Sequence, residues 1–388
     1  MKKQLLSLFL ATGTLASLST VATAEVTAPV GYVKLTFNST ADTPFSLPLD
    51  RPKVYTGQAS AISGNLLSVS ATDFTTDQYK YVNNTQNEHY YVLFTTGALE
   101  GRSFDIGSNT TNGITVETEV EEIGQPAPTL QSLGALANDR FVIRPHWSLG
   151  TLFPSNSNFP KNSSTSDPAG LISFRPKHVI GTTNNASGTD IAPVESYFYF
   201  DHATNDSLDG WYKFGSTGLG KMDNFKLERG TFYIARNKTG AAATINVTGD
   251  VPLVDGNNKV RINLVEQDNY VSLSFPVEVT LAGCDLLTSG FAKSTTTGSP
   301  DGDKLLTYEG ATGYDPSPTK TYFYFDHASN NALDGWYIQG ATGLGKQDTE
   351  AIFKPGHGYI IRKAASTTTD EYIKWGTTLP YLPFNEAP

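Results

Sequence analysis

The sequence predicts an all-β protein made of tandem β-sandwich or small β-barrel modules, two of which are diverged copies of one repeat. The 388-residue chain contains 35 glycines and 21 prolines and is rich in Thr, Ser and Asn, a composition that favours strands and tight turns. Apart from a turn or two near residues 129–137, no segment shows the apolar spacing and caps of a helix. A sequence motif near residue 200 recurs near residue 325, which indicates that part of the chain is duplicated.

The first 24 residues have the pattern of a secretory signal peptide. Two lysines follow Met1, residues 5–18 are largely apolar or small, and Ala22-Thr23-Ala24 is a small-x-small cleavage site. No later apolar run approaches the roughly 20 residues that a membrane-spanning helix needs. We therefore expect residues 1–24 to be removed and no span to follow. The expected location is extracellular or at the cell surface, with the periplasm as a further possibility.

Residues 25–124 are predicted to form an N-terminal β domain. The segment 32–37 alternates with period two, the segment 90–95 is an apolar run, and Asn112-Gly113 is typical of a hairpin turn. The prolines at the start of residues 125–135 indicate a linker between independent cores.

The repeat defines the rest of the chain. The segment 197–212 recurs as 322–337, and the match continues through Thr-Gly-Leu-Gly-Lys at 217–221 and 342–346. Upstream, a weaker match places Phe141 to Leu152 opposite Tyr270 to Leu281. These matches predict one β repeat module over residues 136–254 and a second over residues 255–388.

Each copy of the motif ends in a Trp-Tyr pair. In a strand, alternate side chains face opposite sides, so one face of the aromatic strand before each pair must be core. The simplest interpretation is a repeated structural hairpin whose indole rings are buried. The alternative is a carbohydrate-binding surface, in which the aromatic rings are flat platforms for sugars and two weak sites gain by avidity. That alternative assigns ligand binding to Trp211, Tyr212, Trp336 and Tyr337.

The loop between the aromatic strand and the Trp-Tyr pair is rich in hard oxygen donors, which calcium prefers. The spacing of these residues fits no standard calcium loop. We therefore expect no cofactor, with calcium as the alternative. The candidate ligands are Asp201, Asn205, Asp206 and Asp209 in the first copy and Asp326, Asn330, Asn331 and Asp334 in the second.

The sequence contains no recognisable catalytic constellation. No Gly-x-Ser-x-Gly, His-Glu-x-x-His or Cys-x-x-Cys motif occurs, and the histidines lack metal-ligand spacing. The lone Cys284 is interpreted as a buried thiol that fills core space. Arg236 and Arg362 follow glycine-led strands and are predicted to form structural ion pairs. Their expected partners are Asp209 or Asp223 in the first copy and Asp334 or Asp348 in the second.

Charge narrows the choice of partners. The chain has 38 acidic and 28 basic residues, and loss of two lysines with the signal peptide changes its formal net charge from −10 to −12. No basic stripe is available for phosphates, which argues against a nucleic-acid partner.

Several segments resemble an uncharacterised exported β-rich protein family of Verrucomicrobia-like Gram-negative bacteria. The resemblance is carried by residues 31–35 with 48–52, by 91–101, by 141–154, and by Gly210-Trp211 followed by Tyr233 and Arg236. It covers most of the mature chain and implies an envelope or extracellular location. It implies no activity and no catalytic residues.

These observations predict an exported, non-enzymatic structural or adhesive protein of the cell surface or extracellular matrix. Its expected partners are copies of itself or an envelope or matrix polysaccharide. The carbohydrate-binding protein, with or without calcium, is the main alternative. A polysaccharide hydrolase is a lesser one, because its two carboxylates need no proximity in sequence.

Overall fold

The structure is a computed structural model, and it describes residues 29–120, 125–174, 193, 195–253, 259–264, 268–364 and 373–381. The predicted signal peptide, residues 1–24, lies outside these ranges. The described chain is nearly all β, with antiparallel sheets of a β-sandwich class, which confirms the predicted fold class.

The strands in chain order are β1 Val30–Phe37, β2 Ala41–Ser46, β3 Tyr55–Gln58, β4 Ala61–Ser63, β5 Leu66–Ser68, β6 Tyr90–Phe94, β7 Ser103–Asn109, β8 Gly113–Val116, β9 Arg140–Pro145, β10 Trp147–Ser148, β11 Gly170–Phe174, β12 Glu195–Phe200, β13 Gly210–Lys213, β14 Lys226–Leu227, β15 Phe232–Asn237, β16 Ala243–Asp250, β17 Lys259–Leu264, β18 Asp268–Val271, β19 Val279–Thr280, β20 Lys304–Thr307, β21 Lys320–Phe325, β22 Gly335–Ile338, β23 Ala351–Phe353, β24 Tyr359–Arg362 and β25 Ile373–Thr378. A one-turn helix, α1, spans Leu149–Leu152. Short 3-10 helices span Asp206–Leu208, Thr217–Leu219, Asn331–Leu333 and Thr342–Leu344.

A seven-stranded sheet occupies the part of the chain from β3 to β9, in the order β3-β9-β6-β7-β8-β5-β4. Its core includes the fully buried Phe94, Ile114 and Phe141. Leu130 belongs to the same core, and its backbone N–H donates to Asn65 Oδ1 at 3.1 Å. The prediction of a linker over residues 125–135 is therefore wrong at its centre, because Leu130 is a core residue of the N-terminal sheet.

The first repeat module is built from two separate parts of the chain. Its five-stranded sheet has the order β13-β12-β11-β15-β2, and β1 pairs with β16 as a second, two-stranded sheet. Thus β1 and β2, which the sequence placed in an N-terminal domain over 25–124, belong to this module. Conversely β9, which the sequence placed in module 136–254, belongs to the seven-stranded sheet. The predicted boundaries do not follow the sheets, because the seven-stranded domain is inserted between β2 and β10 of the repeat.

The second repeat module has the same design in one continuous segment. Its five-stranded sheet has the order β18-β24-β20-β21-β22, and β17 pairs with β25 as β1 pairs with β16. The counterpart of β18 is therefore β2, and the weak sequence match of Phe141 with Tyr270 is wrong.

The two repeat modules contact each other through matching bonds. Ser46 donates its N–H to Gly356 O at 2.9 Å and its hydroxyl to His357 O at 2.8 Å. Reciprocally, Ser272 donates its N–H to Gly230 O at 2.9 Å and its hydroxyl to Thr231 O at 2.8 Å. Such reciprocal contacts are the pattern of an approximate twofold axis.

An aromatic stack fills the space between the modules. The ring of Phe232 in the first module stacks on Tyr270 in the second, with centroids 4.4 Å apart. A Cβ on Gly358 would lie 2.4 Å from the Phe232 ring. Glycine at this position therefore permits the close approach of the two modules.

A partly buried charged cluster joins the inserted domain to the first module. Arg144 of the insert contacts Asp250 at 2.7 Å, and Asp105 contacts His146 at 2.8 Å and also Lys226. Burial alone would raise the pKa of Asp105, but the hydrogen bonds and charges of His146 and Lys226 hold it well below its usual value. Removing one partner of the buried Arg144–Asp250 pair leaves an uncompensated charge, which costs about 3–5 kcal/mol. The cluster therefore fixes the insert against the repeat.

Candidate functional site

The two repeated tryptophans lie in the module cores. Trp211 and Trp336 are each 1% exposed, and they pack against Phe159 and Phe291 respectively. Trp211 Nε1 donates to Phe153 O at 3.1 Å. No indole face is open to a sugar ring, which agrees with the structural-hairpin interpretation and overturns the alternative in which these rings are binding platforms. The physical reason is the strand register: Trp211 and its partner Tyr199 on β12 both face the core.

The tyrosines of the pairs face the opposite side and hold the preceding loop. Tyr212 is half-buried and donates its hydroxyl to Leu208 O at 2.8 Å. Tyr337 is 8% exposed and donates to Leu333 O at 2.9 Å. Their position accounts for their presence in both copies without a ligand.

The Asp/Asn loops use their oxygens for internal hydrogen bonds. Asn205 Oδ1 accepts the Ser207 N–H at 3.1 Å, and Asp209 Oδ1 accepts the His202 N–H at 2.7 Å. The second copy repeats this pattern with Asn330 and Asp334. The other candidates differ: Asp201, Asp206 and Asn331 are exposed, and Asp326 forms an ion pair with Lys293 at 3.1 Å. Among the described residues no group of three or more His, Cys, Asp or Glu gathers around a common point, and calcium stays an untested prediction.

The repeated arginines bind carboxylates that the sequence did not identify. Arg236 contacts Asp42 through Nε and Nη2, both at 2.7 Å, and Arg362 contacts Asp268 through the same atoms at 2.7 and 2.9 Å. The predicted pairing with Asp209 or Asp223, and with Asp334 or Asp348, is wrong. Asp223 and Asp348 instead accept the backbone N–H groups of Trp211 and Trp336, at 2.9 Å each.

Cys284 is fully buried, as predicted. Burial raises the pKa of its thiol to about 12, and its Sγ donates to Leu281 O at 3.0 Å. At pH 7 the thiol is protonated and poorly nucleophilic.

One surface of each repeat keeps the same exposed residues in both copies. We call these surfaces the leucine loops: Leu208, Gly218, Leu219 and Lys221 in the first module, and Leu333, Gly343, Leu344 and Lys346 in the second. Leu219 is 64% exposed and Leu344 is 73% exposed. A Cβ on Gly218 or Gly343 would meet nothing within 4 Å, and neither glycine has a positive φ.

The two leucine loops also share their geometry. The stem of Lys221 lies over Gly210, where a Cβ would stand 3.0 Å from Lys221 Cδ, and the corresponding distance from Gly335 to Lys346 Cδ is 2.8 Å. Both lysines are exposed. In the sequence this segment served only to identify the repeat. The sequence feature that could have indicated a site is that the two repeats have identical residues at these exposed positions.

Comparison of the chain with protein-family models, with curated protein sequences and with solved structures found no match. The resemblance to an exported bacterial family therefore stays a prediction. Within the ranges that the structure describes, no helix has the length and apolar character needed to cross a membrane.

Proposed function

We propose that this chain is an exported, non-enzymatic protein of the cell surface or extracellular matrix that adheres through the two leucine loops. The observation that carries the proposal is the identity of the loops at exposed positions. A side chain at Gly218 or Gly343 would meet only solvent, and most of the surface of Leu219 and Leu344 is exposed to solvent. Folding gives no reason to keep these residues alike, so a shared external contact is the better account.

The energetics favour weak contacts used in pairs. Burying one leucine fully on a partner contributes about 1.5–3 kcal/mol, which alone gives only weak binding. Two loops on one chain convert the second contact into an intramolecular event and raise the overall affinity by about 10²–10⁴. Because the module is duplicated, the chain can obtain this higher affinity from a partner that has several identical binding sites. A polymer and an assembly of this protein are both such partners.

The test compares the mature chain, residues 25–388, with the double variant Leu219→Asn, Leu344→Asn. Self-association is measured by sedimentation velocity over a wide concentration range, and envelope binding by co-sedimentation with purified Gram-negative cell envelopes. We expect the double variant to lose association or binding and the single variants to retain part of it. Leu136→Asn is the matched control, because Leu136 is 66% exposed but lies in the inserted domain.

A mature chain that stays monomeric and binds no envelope would contradict the proposal. Equal adhesion by the mature chain and the double variant would do the same. Repeating both measurements with EDTA tests whether the Asp/Asn loops add a calcium-dependent contact.

A further inference from the structure

A cleft of about 500 Å³ lies between the two repeat modules. Strands β1 and β2 of the first module form one wall, and the turns after β20 and before β24 of the second form the other. The volume lies within the range of small-molecule sites, and such sites occur preferentially where two folded units meet. The cleft shares no residue with the leucine loops.

The cleft carries a polar group that the fold does not use. His357 is half-buried, and the described residues provide no hydrogen-bond partner for its ring, although its backbone O accepts from Ser46. Burial lowers the pKa of His357, an effect that Glu309 opposes and Lys354 adds to. The neutral ring at pH 7 both donates and accepts a hydrogen bond. Beside it, Lys354 and Glu309 form an ion pair.

The first module shows that the same local backbone forms with different side chains. Lys354 and His357 occupy the positions that Glu228 and Thr231 occupy in the first copy. The local backbone is the same, because the hydroxyl of Tyr359 accepts the N–H of Lys354 as the hydroxyl of Tyr233 accepts that of Glu228. The polar set therefore belongs to one copy, and a role outside folding explains it better than a structural one.

The balance of charge selects the class of ligand. The lining includes three lysines, at 34, 320 and 354, and three acids, at 42, 309 and 350. Lys354 is paired with Glu309, and Asp42 is paired with Arg236 outside the lining, which leaves Lys34, Lys320 and Glu350 and no large surplus of either sign. Threonine hydroxyls at 36, 43, 307 and 319 also line the cleft. Those of Thr307 and Thr319 donate to backbone carbonyls and can still accept, and that of Thr43 accepts from the Asn38 N–H and can still donate. A neutral molecule with closely spaced hydroxyls matches such a surface, whereas a strongly charged one would leave a charge without compensation.

We propose that the cleft between the repeat modules binds a neutral sugar residue whose hydroxyls hydrogen-bond to His357 and to the Glu309–Lys354 pair. This site is independent of the leucine loops and of the Trp-Tyr pairs.

The test uses saturation-transfer NMR and calorimetry on residues 25–388 with glucose, galactose, mannose and N-acetylglucosamine. Glucuronate and glucosamine serve as acidic and basic comparisons. We expect at least one neutral sugar to bind and both His357→Gln and Glu309→Gln to weaken its binding about tenfold or more. Variants that melt within about 2 °C of the parent chain report on binding and not on folding. The Leu219→Asn, Leu344→Asn chain is the matched control and is expected to bind sugar normally.

Three results would overturn the proposal: no neutral sugar binds, a charged sugar binds better than every neutral one, or binding is unchanged in both cleft variants. Failure of the adhesion proposal gives a different result. In that case the Leu219→Asn, Leu344→Asn chain adheres as well as the parent chain, whatever the cleft variants show in sugar binding.

Discussion

The two equivalent tryptophans differ in one atom's environment, and the difference predicts unequal costs for the same substitution. Trp211 Nε1 donates to Phe153 O at 3.1 Å, whereas the buried Trp336 Nε1 has no partner among the described residues. Both side chains are 1% exposed, so Trp→Phe removes a comparable amount of buried apolar surface at each site. The hydrogen bond is therefore the main term that separates them.

The size of the difference follows from that term. In Trp211→Phe the buried carbonyl of Phe153 loses its indole partner, which costs about 1–3 kcal/mol. In Trp336→Phe a buried N–H that was already unpaired is removed, so a penalty of similar size disappears. The two effects have opposite signs. Because the two effects add in the comparison, we expect Trp211→Phe to destabilise the protein by about 2–6 kcal/mol more than Trp336→Phe, or about 6–18 °C in Tm for a module of this size.

Urea unfolding and calorimetry of the single variants measure the difference. Trp375→Phe is the matched control, because Trp375 lies in the same module as Trp336 and donates to Cys284 O at 2.7 Å. It is expected to cost less than Trp211→Phe and more than Trp336→Phe, because Cys284 O keeps the hydrogen bond from the Thr377 hydroxyl at 3.1 Å. Equal losses at 211 and 336, or a larger loss at 336, would refute the reasoning.

Three further predictions concern the contacts among the inserted domain and the two repeat modules. Replacing residues 51–145 by a short Gly/Ser linker should leave the repeat modules folded by circular dichroism and calorimetry, because β1 and β2 keep their partners. The Tm should be lower, because Asp250 and Lys226 lose Arg144 and Asp105. Loss of the cooperative transition would contradict the inserted-domain arrangement. Phe232→Ala should lower stability by about 3–5 kcal/mol and separate the unfolding of the two modules into distinct calorimetric steps, since it removes the stack on Tyr270; a single transition with unchanged Tm would argue against that coupling. The free energy of unfolding should fall as pH drops from about 6.5 to about 4, because of His89. Burial lowers the pKa of His89 to about 4, an effect to which Lys226 and His146 add and which Asp105 opposes. The unfolded chain therefore takes up a proton at His89 at a higher pH than the folded chain does. Urea titrations across that range should give a shallower slope for His89→Gln, and an identical slope would remove His89 from the account.

Much of the fold could be predicted because its signals are local. The alternation at residues 32–37, the turn at Asn112-Gly113 and the aromatic strand before each Trp-Tyr pair are strand and turn patterns in their own right. The lone Cys284 could be interpreted as buried from composition alone. These features depend on neighbours in sequence, which is where sequence patterns are informative.

The pairing of strands could not be predicted in the same way. The bond between Arg236 and Asp42 joins residues 194 positions apart, and only the β2–β15 register brings them together. An alternating pattern specifies which face of a strand is buried but not which strand lies beside it. The insertion of the seven-stranded domain was hidden for the same reason, since β1 and β2 show ordinary strand patterns whichever module they complete.

The duplication allows each repeat to serve as a reference for the other. Where both copies keep a side chain that is mostly exposed, as at Leu219 and Leu344, a contact outside the chain accounts for it better than packing does. Where the backbone is kept but the side chain differs, as at His357 and Thr231, the fold does not require that side chain. Identical exposed residues form the leucine loops, whereas Lys354 and His357, which differ from their counterparts Glu228 and Thr231, line the cleft between the modules. The outer surface is thus suited to binding one partner twice, and the cleft is suited to binding a different ligand once.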